Sequence, residues 1–151
     1  MEIRKIASHK KDYLPLLLLG DEQESMIDRY LERGTLYALF IEDAARAVCV
    51  VTDEGNGVLE IKNIAVEPAF QKKGLGRALI AYIENAYRQT HAVLQVGTGE
   101  SPLTVPFYEK CGFRYSHRIP NFFTDHYDHP ICEGGVLLRD MVYLQKPLAP
   151  R

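Results

Sequence analysis

The sequence predicts a single α/β domain over residues 1–151, a mixed central sheet with helices on its flanks. Three observations predict it. Between residues 35 and 66, short apolar runs are separated by turn-forming clusters, the pattern of hairpin-joined strands. From about residue 58 to 96 come a strand-like run, a glycine loop, an amphipathic helix and a second strand-like run. Strand, helix, strand implies a right-handed crossover between parallel neighbours, with a ligand site at its mouth. The length is that of one domain with room for a real core.

Residues 2–7 read as the first strand. Residues 12–19 and 22–32 are helical candidates, the second stopping at Gly34. Residues 35–41 and 46–52 read as strands joined by a turn around Glu42, Asp43 and Ala44. Asp53-Glu54-Gly55-Asn56-Gly57 is a strong hairpin signal into the next strand, residues 58–66. There Leu59 and Ile61 alternate with Glu60 and Lys62, and then the parity slips to Ile64 and Val66. One extra residue near Lys62 and Asn63 restores a common face, which is what a β-bulge does. A strand end buried on both faces gives the same pattern. Pro68 denies the ladder an N–H and ends the strand.

Leu75, Leu79, Tyr82, Ile83 and Ala86 recur at helical spacing, so a helix is expected over about 74–89. Residues 92–96 form a short strand, followed by a short helix ending near Cys111. Gly112 fits a left-handed C′ cap, with Tyr108 one turn earlier. Residues 113–119 and 141–146 are the late strands.

Gln71-Lys72-Lys73-Gly74-Leu75-Gly76-Arg77 stands where the crossover helix begins. A helix N-terminus presents unpaired N–H groups and a partial positive charge, glycines admit a large anion to the backbone, and cations add charge. A phosphate or pyrophosphate is the expected guest. The loop lacks the Walker A pattern and the third glycine of a dinucleotide fingerprint. Taken alone, it also reads as a solvated helix entry.

The composition excludes other classes. With a formal net charge of −2, no strongly basic face is expected, so nucleic acid is not an expected partner. Leu16–Leu19 is far too short to span a bilayer, and no signal-peptide pattern follows Met1. Cys49, Cys111 and Cys132 lack metal spacing, and an odd count without a secretion signal favours reduced thiols in a cytoplasmic protein.

At this point the residues resemble a known family. The run from Ile64 to Leu79 matches the Q/R-x-x-G-x-G/A segment of the GNAT superfamily, the acyl-CoA-dependent N-acyltransferases. Phe107-Tyr108-Glu109-Lys110-Cys111-Gly112-Phe113 looks like that family's second signature, in the expected order and at the expected spacing. The likeness is sharp over residues 58–115 and architectural elsewhere. It implies the GNAT fold, with the sheet splayed between strands 4 and 5 around a pantetheine arm.

The resemblance implies acetyl-CoA as co-substrate, no metal, and transfer of an acetyl group to a primary amine of a small molecule or peptide by direct attack. Backbone groups at Ile64, Ala65 and Val66 would bind the pantetheine. The Gln71–Arg77 loop, comprising Gln71, Lys72, Lys73, Gly74, Leu75, Gly76 and Arg77, would bind the pyrophosphate. Gln71 stands where many relatives carry Arg. Tyr108 matches the proton donor to the departing thiolate, although its spacing equally fits a packed aromatic. Glu60 is the candidate base, or an outward-facing strand carboxylate. Ser101 occupies a position where relatives often place a pantetheine-binding Asn, and Ser also caps helices.

The acceptor is expected to meet residues 121–130, an aromatic and acidic segment where no helix is foreseen. Between Asn121 and Asp140, Asp125, Asp128, Glu133 and Asp140 outweigh Arg139, a net of −3. That charge would suit a cationic amine, although a solvated loop with an aromatic anchor fits the same residues. His126 and His129 have no further ligands at metal spacing. A homodimer is a family-based expectation. The rival readings are an acyl-CoA-binding regulatory module without turnover and a nucleotide-binding α/β domain of another kind.

Overall fold

The computed structural model describes residues 1–149. Its main sheet holds seven strands: β1 (Glu2–Ile6), β2 (Thr35–Ile41), β3 (Ala44–Gly55), β4 (Val58–Val66), β5 (Val93–Gly99), β6 (Arg114–Ile119) and β9 (Met141–Pro147). Their order is β1-β2-β3-β4-β5-β9-β6. All neighbours are antiparallel except β4 and β5, so the sheet is mixed as expected. A separate hairpin pairs β7 (Cys132–Glu133) with β8 (Val136–Leu137).

The helices are α1 (Leu14–Gly20), α2 (Glu24–Ile27), α3 (Leu75–Tyr87), α4 (Val105–Lys110) and α5 (Phe122–His126). Helix α3 lays Leu75, Leu79, Ile80 and Ile83 on one face of the sheet, against Cys49, Ile61 and Val96. On the opposite face, Leu17, Ile27, Tyr30 and Leu31 pack against Leu36, Val48 and Ala65. Leu79 and Leu17 are both 0% exposed, and burial of each stabilises the fold by roughly 1.5–3 kcal/mol.

The extra residue in β4 is present. Asn63 pairs with Val50 and Ile61 pairs with Val51, so Lys62 has no partner of its own in β3. Leu59, Ile61, Ile64 and Val66 consequently all face the α3-side core. Asn63 and Ala65 turn to the α1 side, where Asn63 Nδ2 donates to Leu17 O at 2.9 Å.

Two helical expectations change. Helix α1 begins at Leu14, preceded by a 3₁₀ turn at Lys10–Tyr13, because Pro15 fits only the first turn of an α-helix. The expected 22–32 helix is α-helical only at Glu24–Ile27. Beyond it, Arg29 and Tyr30 donate to carbonyls three residues back, which tightens the chain away from α geometry. Lys10 Nζ takes the freed carbonyls of Leu31, Glu32 and Gly34 at 3.0, 3.3 and 2.7 Å.

The 121–130 segment also differs: Phe122–His126 forms a helical turn. Asp125 N–H donates to Asn121 O, while Phe123 buries against Ile131 and Leu138. Among the described residues, no helix is long and apolar enough to cross a membrane. All three cysteines are free, with Cys49 and Cys111 buried and Cys132 exposed.

Candidate functional site

The site begins where two parallel strands part. Strands β4 and β5 pair only from Val58 opposite Val93 to Ile61 opposite Val96. Beyond Lys62, β4 continues with β3, while β5 continues with β9 as far as Gly99. This is the expected splay, and the bulge at Lys62 sits at its apex.

Glu67 N–H donates to Arg46 O at 2.8 Å, which sets the alternation along β4. Asn63 and Ala65 therefore direct their backbone groups to β3, and Ile64 and Val66 direct theirs into the cleft. Of the three backbone candidates, Ile64 and Val66 thus face the opening, and Ala65 is committed to the sheet.

The glycine loop closes one end of the cleft. Gly74 caps α3 at φ +83°, a left-handed conformation that favours glycine, and the space beside it is open. Gly76 serves packing, since a Cβ there would lie 3.2 Å from Phe107 Cζ. Gln71 Nε2 donates to Val66 O at 3.0 Å and ties the loop to the end of β4. Lys73 lies over the Phe70 ring at 5.2 Å, and Arg46 lies over the same ring at 4.6 Å. Lys72 and Arg77 are exposed, whereas Leu75 is buried in the core and offers a ligand only its backbone.

A cavity of about 200 Å³ opens between the parted strands, with Ile64, Val96, Gly97, Thr104 and Tyr108 on its walls. Tyr108 is held there by the end of α4. Gly112 N–H donates to Glu109 O and Phe113 N–H to Tyr108 O, both at 3.0 Å, with Gly112 at φ +97°. These are the two bonds of a Schellman cap. The Phe113 ring packs edge-on to Tyr108, centroids 5.8 Å apart. Burial raises the Tyr108 phenol above its ordinary pKa, with smaller contributions from nearby Cys49, Glu133 and Cys111. The phenol therefore keeps its proton at neutral pH.

Ser101 lies behind this wall. Its hydroxyl donates to Glu133 Oε1 at 2.7 Å and accepts from Leu103 N–H at 3.2 Å. The hydroxyl is thus engaged by the turn before α4, and its neighbours Glu133 and Thr104 reach the cavity.

A second cavity, about 310 Å³, adjoins the first and shares Asp21, Ile61, Lys62, Gly97, Tyr127 and Met141 with it. Glu60 lines this second space and is 5% exposed. Gln95 Nε2 donates to Glu60 Oε1 at 2.7 Å, and Gln145 Nε2 donates to Gln95 Oε1 at 2.7 Å. Lys62 Nζ lies 2.9 Å from Glu60 Oε2. An amide relay running from β9 through β5 therefore orients the carboxylate. Glu60 and Tyr108 thus stand in adjoining cavities that meet at the bulge.

Several residues of this region escape sequence reasoning. Asp21 accepts Tyr30 Oη on Oδ2 at 3.0 Å and Tyr127 Oη on Oδ1 at 2.7 Å, while Asn63 Nδ2 donates to Tyr30 Oη at 3.1 Å. Burial raises the pKa of Asp21, and the two tyrosine bonds oppose that rise. Gln95 and Asn63 were detectable in principle as polar residues inside apolar strands. Nothing local in the sequence marks Asp21.

The comparisons with known proteins agree with this geometry. A family model described as an acetyltransferase (GNAT) domain matches residues 32–115. The uncharacterized N-acetyltransferase YvbK of Bacillus subtilis (strain 168) is 40% identical over 131 residues, covering 85% of this chain and 84% of the relative. A GNAT family acetyltransferase from Elizabethkingia anophelis, solved with acetyl-CoA bound, is 33% identical with a TM-score of 0.92, covering 97% of each chain. A Bacillus subtilis acetyltransferase solved in complex with CoA is 37% identical with a TM-score of 0.87, covering 97% of this chain and 98% of that one. The chain belongs to the GNAT acetyltransferase family.

Proposed function

We propose that the protein is an N-acetyltransferase that moves the acetyl group of acetyl-CoA to a primary amine of a small molecule or peptide. The observation that carries this reading is the parting of β4 from β5, where the cavities of Tyr108 and Glu60 adjoin and the glycine loop is tied to the end of β4. Its residues fit a nucleotide thioester: an exposed, glycine-capped helix start at one end and outward-facing strand backbone along the wall. The relatives solved with acetyl-CoA and with CoA support the same choice of co-substrate. Nothing favours a binding module without turnover.

When bound, acetyl-CoA supplies an acetyl group activated as a thioester. The loop Gln71–Arg77 holds the pyrophosphate through backbone N–H groups, with Lys72, Lys73 and Arg77 adding positive charge. The N–H groups of Ile64 and Val66 position the pantetheine and donate to oxygen as it gains charge. Ala65 supports them by holding the strand to β3. Glu60, oriented by Gln95, accepts the proton of the incoming ammonium, directly or through one water. Tyr108 keeps its proton until the sulfur leaves and then donates it. Ser101 maintains the turn before α4 on which Tyr108 depends.

The test is calorimetric titration with acetyl-CoA, using ATP and NAD as controls, followed by thiol-release assays on an amine panel. Micromolar binding of acetyl-CoA alone is expected. Absence of binding at millimolar ligand, weaker than about −4 kcal/mol, overturns the reading.

A further inference from the structure

We infer that the acceptor amine carries an anionic group, a carboxylate or a phosphate, and that Arg29 at the mouth of the second cavity binds it. The inference rests on the transferase reading and narrows its acceptor class. Three cations line this cavity: Arg29, Arg33 and Lys62. Lys62 is paired with Glu60 at 2.9 Å, and Arg33 with Glu54 at 3.2 Å. Among the described residues, Arg29 has no such carboxylate. Its guanidinium contacts the thioether of Met26, Nη1 to Sδ at 3.5 Å, which supplies no charge. A planar guanidinium with free donors suits the paired oxygens of a carboxylate or phosphate.

The two acids that line this cavity already have partners. Asp21 receives two tyrosine hydroxyls, and Glu60 receives Gln95 and Lys62. In the acidic segment, Asp128 faces His129 and Asp140 is paired with Arg118. A polyamine that set one ammonium on Glu60 would bring its second positive charge to Arg29, where the cavity wall offers no further carboxylate without a partner. An amine bearing an anion presents one charge to each end: the ammonium toward Glu60, the anion toward Arg29. Between them, Phe122, Tyr127, Met141 and Tyr143 offer apolar walls for a ring or aliphatic spacer.

The experiment compares matched probes on the CoA-saturated protein by calorimetry. Benzylamine is set against 4-(aminomethyl)benzoate and 4-(aminomethyl)phenylphosphonate. At least one anionic probe is expected to bind about tenfold tighter than benzylamine, a preference that shrinks as salt is raised. Comparing the two anionic probes tells carboxylate from phosphate recognition. Arg29→Gln should abolish the preference and Arg29→Lys should restore part of it, with acetyl-CoA affinity retained in both as the check on folding. Benzylamine binding as tightly as both anionic probes overturns the inference. So does a preference that survives in Arg29→Gln. Neither result touches the transferase reading, which falls only if acetyl-CoA itself fails to bind.

Discussion

Tyr108, the proposed proton donor, shows how the fold fixes one side chain. Burial keeps the phenol protonated, and the Schellman cap at Gly112 fixes the turn that carries it. Replacing Tyr108 with Phe removes one oxygen and little packing. The expected result is a loss of about 100-fold in kcat, the lower range for a general acid, with acetyl-CoA affinity unchanged by calorimetry. A variant whose kcat stays within twofold of the parent would show that the thiolate leaves without this proton. Gly112 is the companion case. At φ +97°, an added Cβ would also meet Lys146 Cε and Nζ at 3.2 Å. Gly112→Ala should lower stability by about 1–3 kcal/mol, read from the urea midpoint.

At the scale of elements, the segment from α2 to β2 survives without regular helix because Lys10 caps its carbonyls. Those three bonds span residues more than twenty positions apart in sequence. Lys10→Ala should cost about 2 kcal/mol and lower the melting temperature by roughly 4–8 °C. A shift under 1 °C would mean that water satisfies those carbonyls equally well. The same contrast explains what the chain disclosed beforehand. The parity slip from Ile61 to Ile64 revealed the bulge, and the hairpin, the crossover and the Gly112 cap were equally local signals. The helix 22–32 was over-read because its apolar spacing continues after the backbone has tightened. Helix α5 was missed because five residues carry too little periodicity. Asp21 and the Glu60–Gln95–Gln145 relay draw their meaning from partners on other elements, so no window of sequence contains them.

At the scale of the molecule, residues 127–129 are strapped across to residues 21–23. Tyr127 donates to Asp21, Asp128 N–H to Gln23 Oε1 at 3.0 Å, and His129 Nε2 lies 2.9 Å from Glu22 Oε1. The strap crosses beside both cavities, since Asp21 and Tyr127 line each of them. The Asp128 carboxylate first, and then that of Glu22, raise the pKa of His129 above its ordinary 6.5. A base with a raised folded pKa stabilises the fold fully below its unfolded pKa and loses that contribution as pH rises through the folded value. The melting-temperature gap between the parent and His129→Gln should therefore be widest below about pH 6 and close at pH values above His129's folded pKa. A gap independent of pH would mean that the histidine acts by packing alone.

The bulge at Lys62 has a consequence for anyone who rewrites this strand. Residues 58–61 and 63–66 obey opposite parities, like two reading frames joined at one inserted letter. A designer who treats β4 as a regular strand would aim half of its substitutions at the wrong face. Straightening the strand with Lys62 retained would bring Ile64 and Val66 out of phase with the core and turn their amides away from the cleft. The cleft-facing amides and the core-facing side chains of β4 are thus set by the same bulge, and neither can be edited without the other.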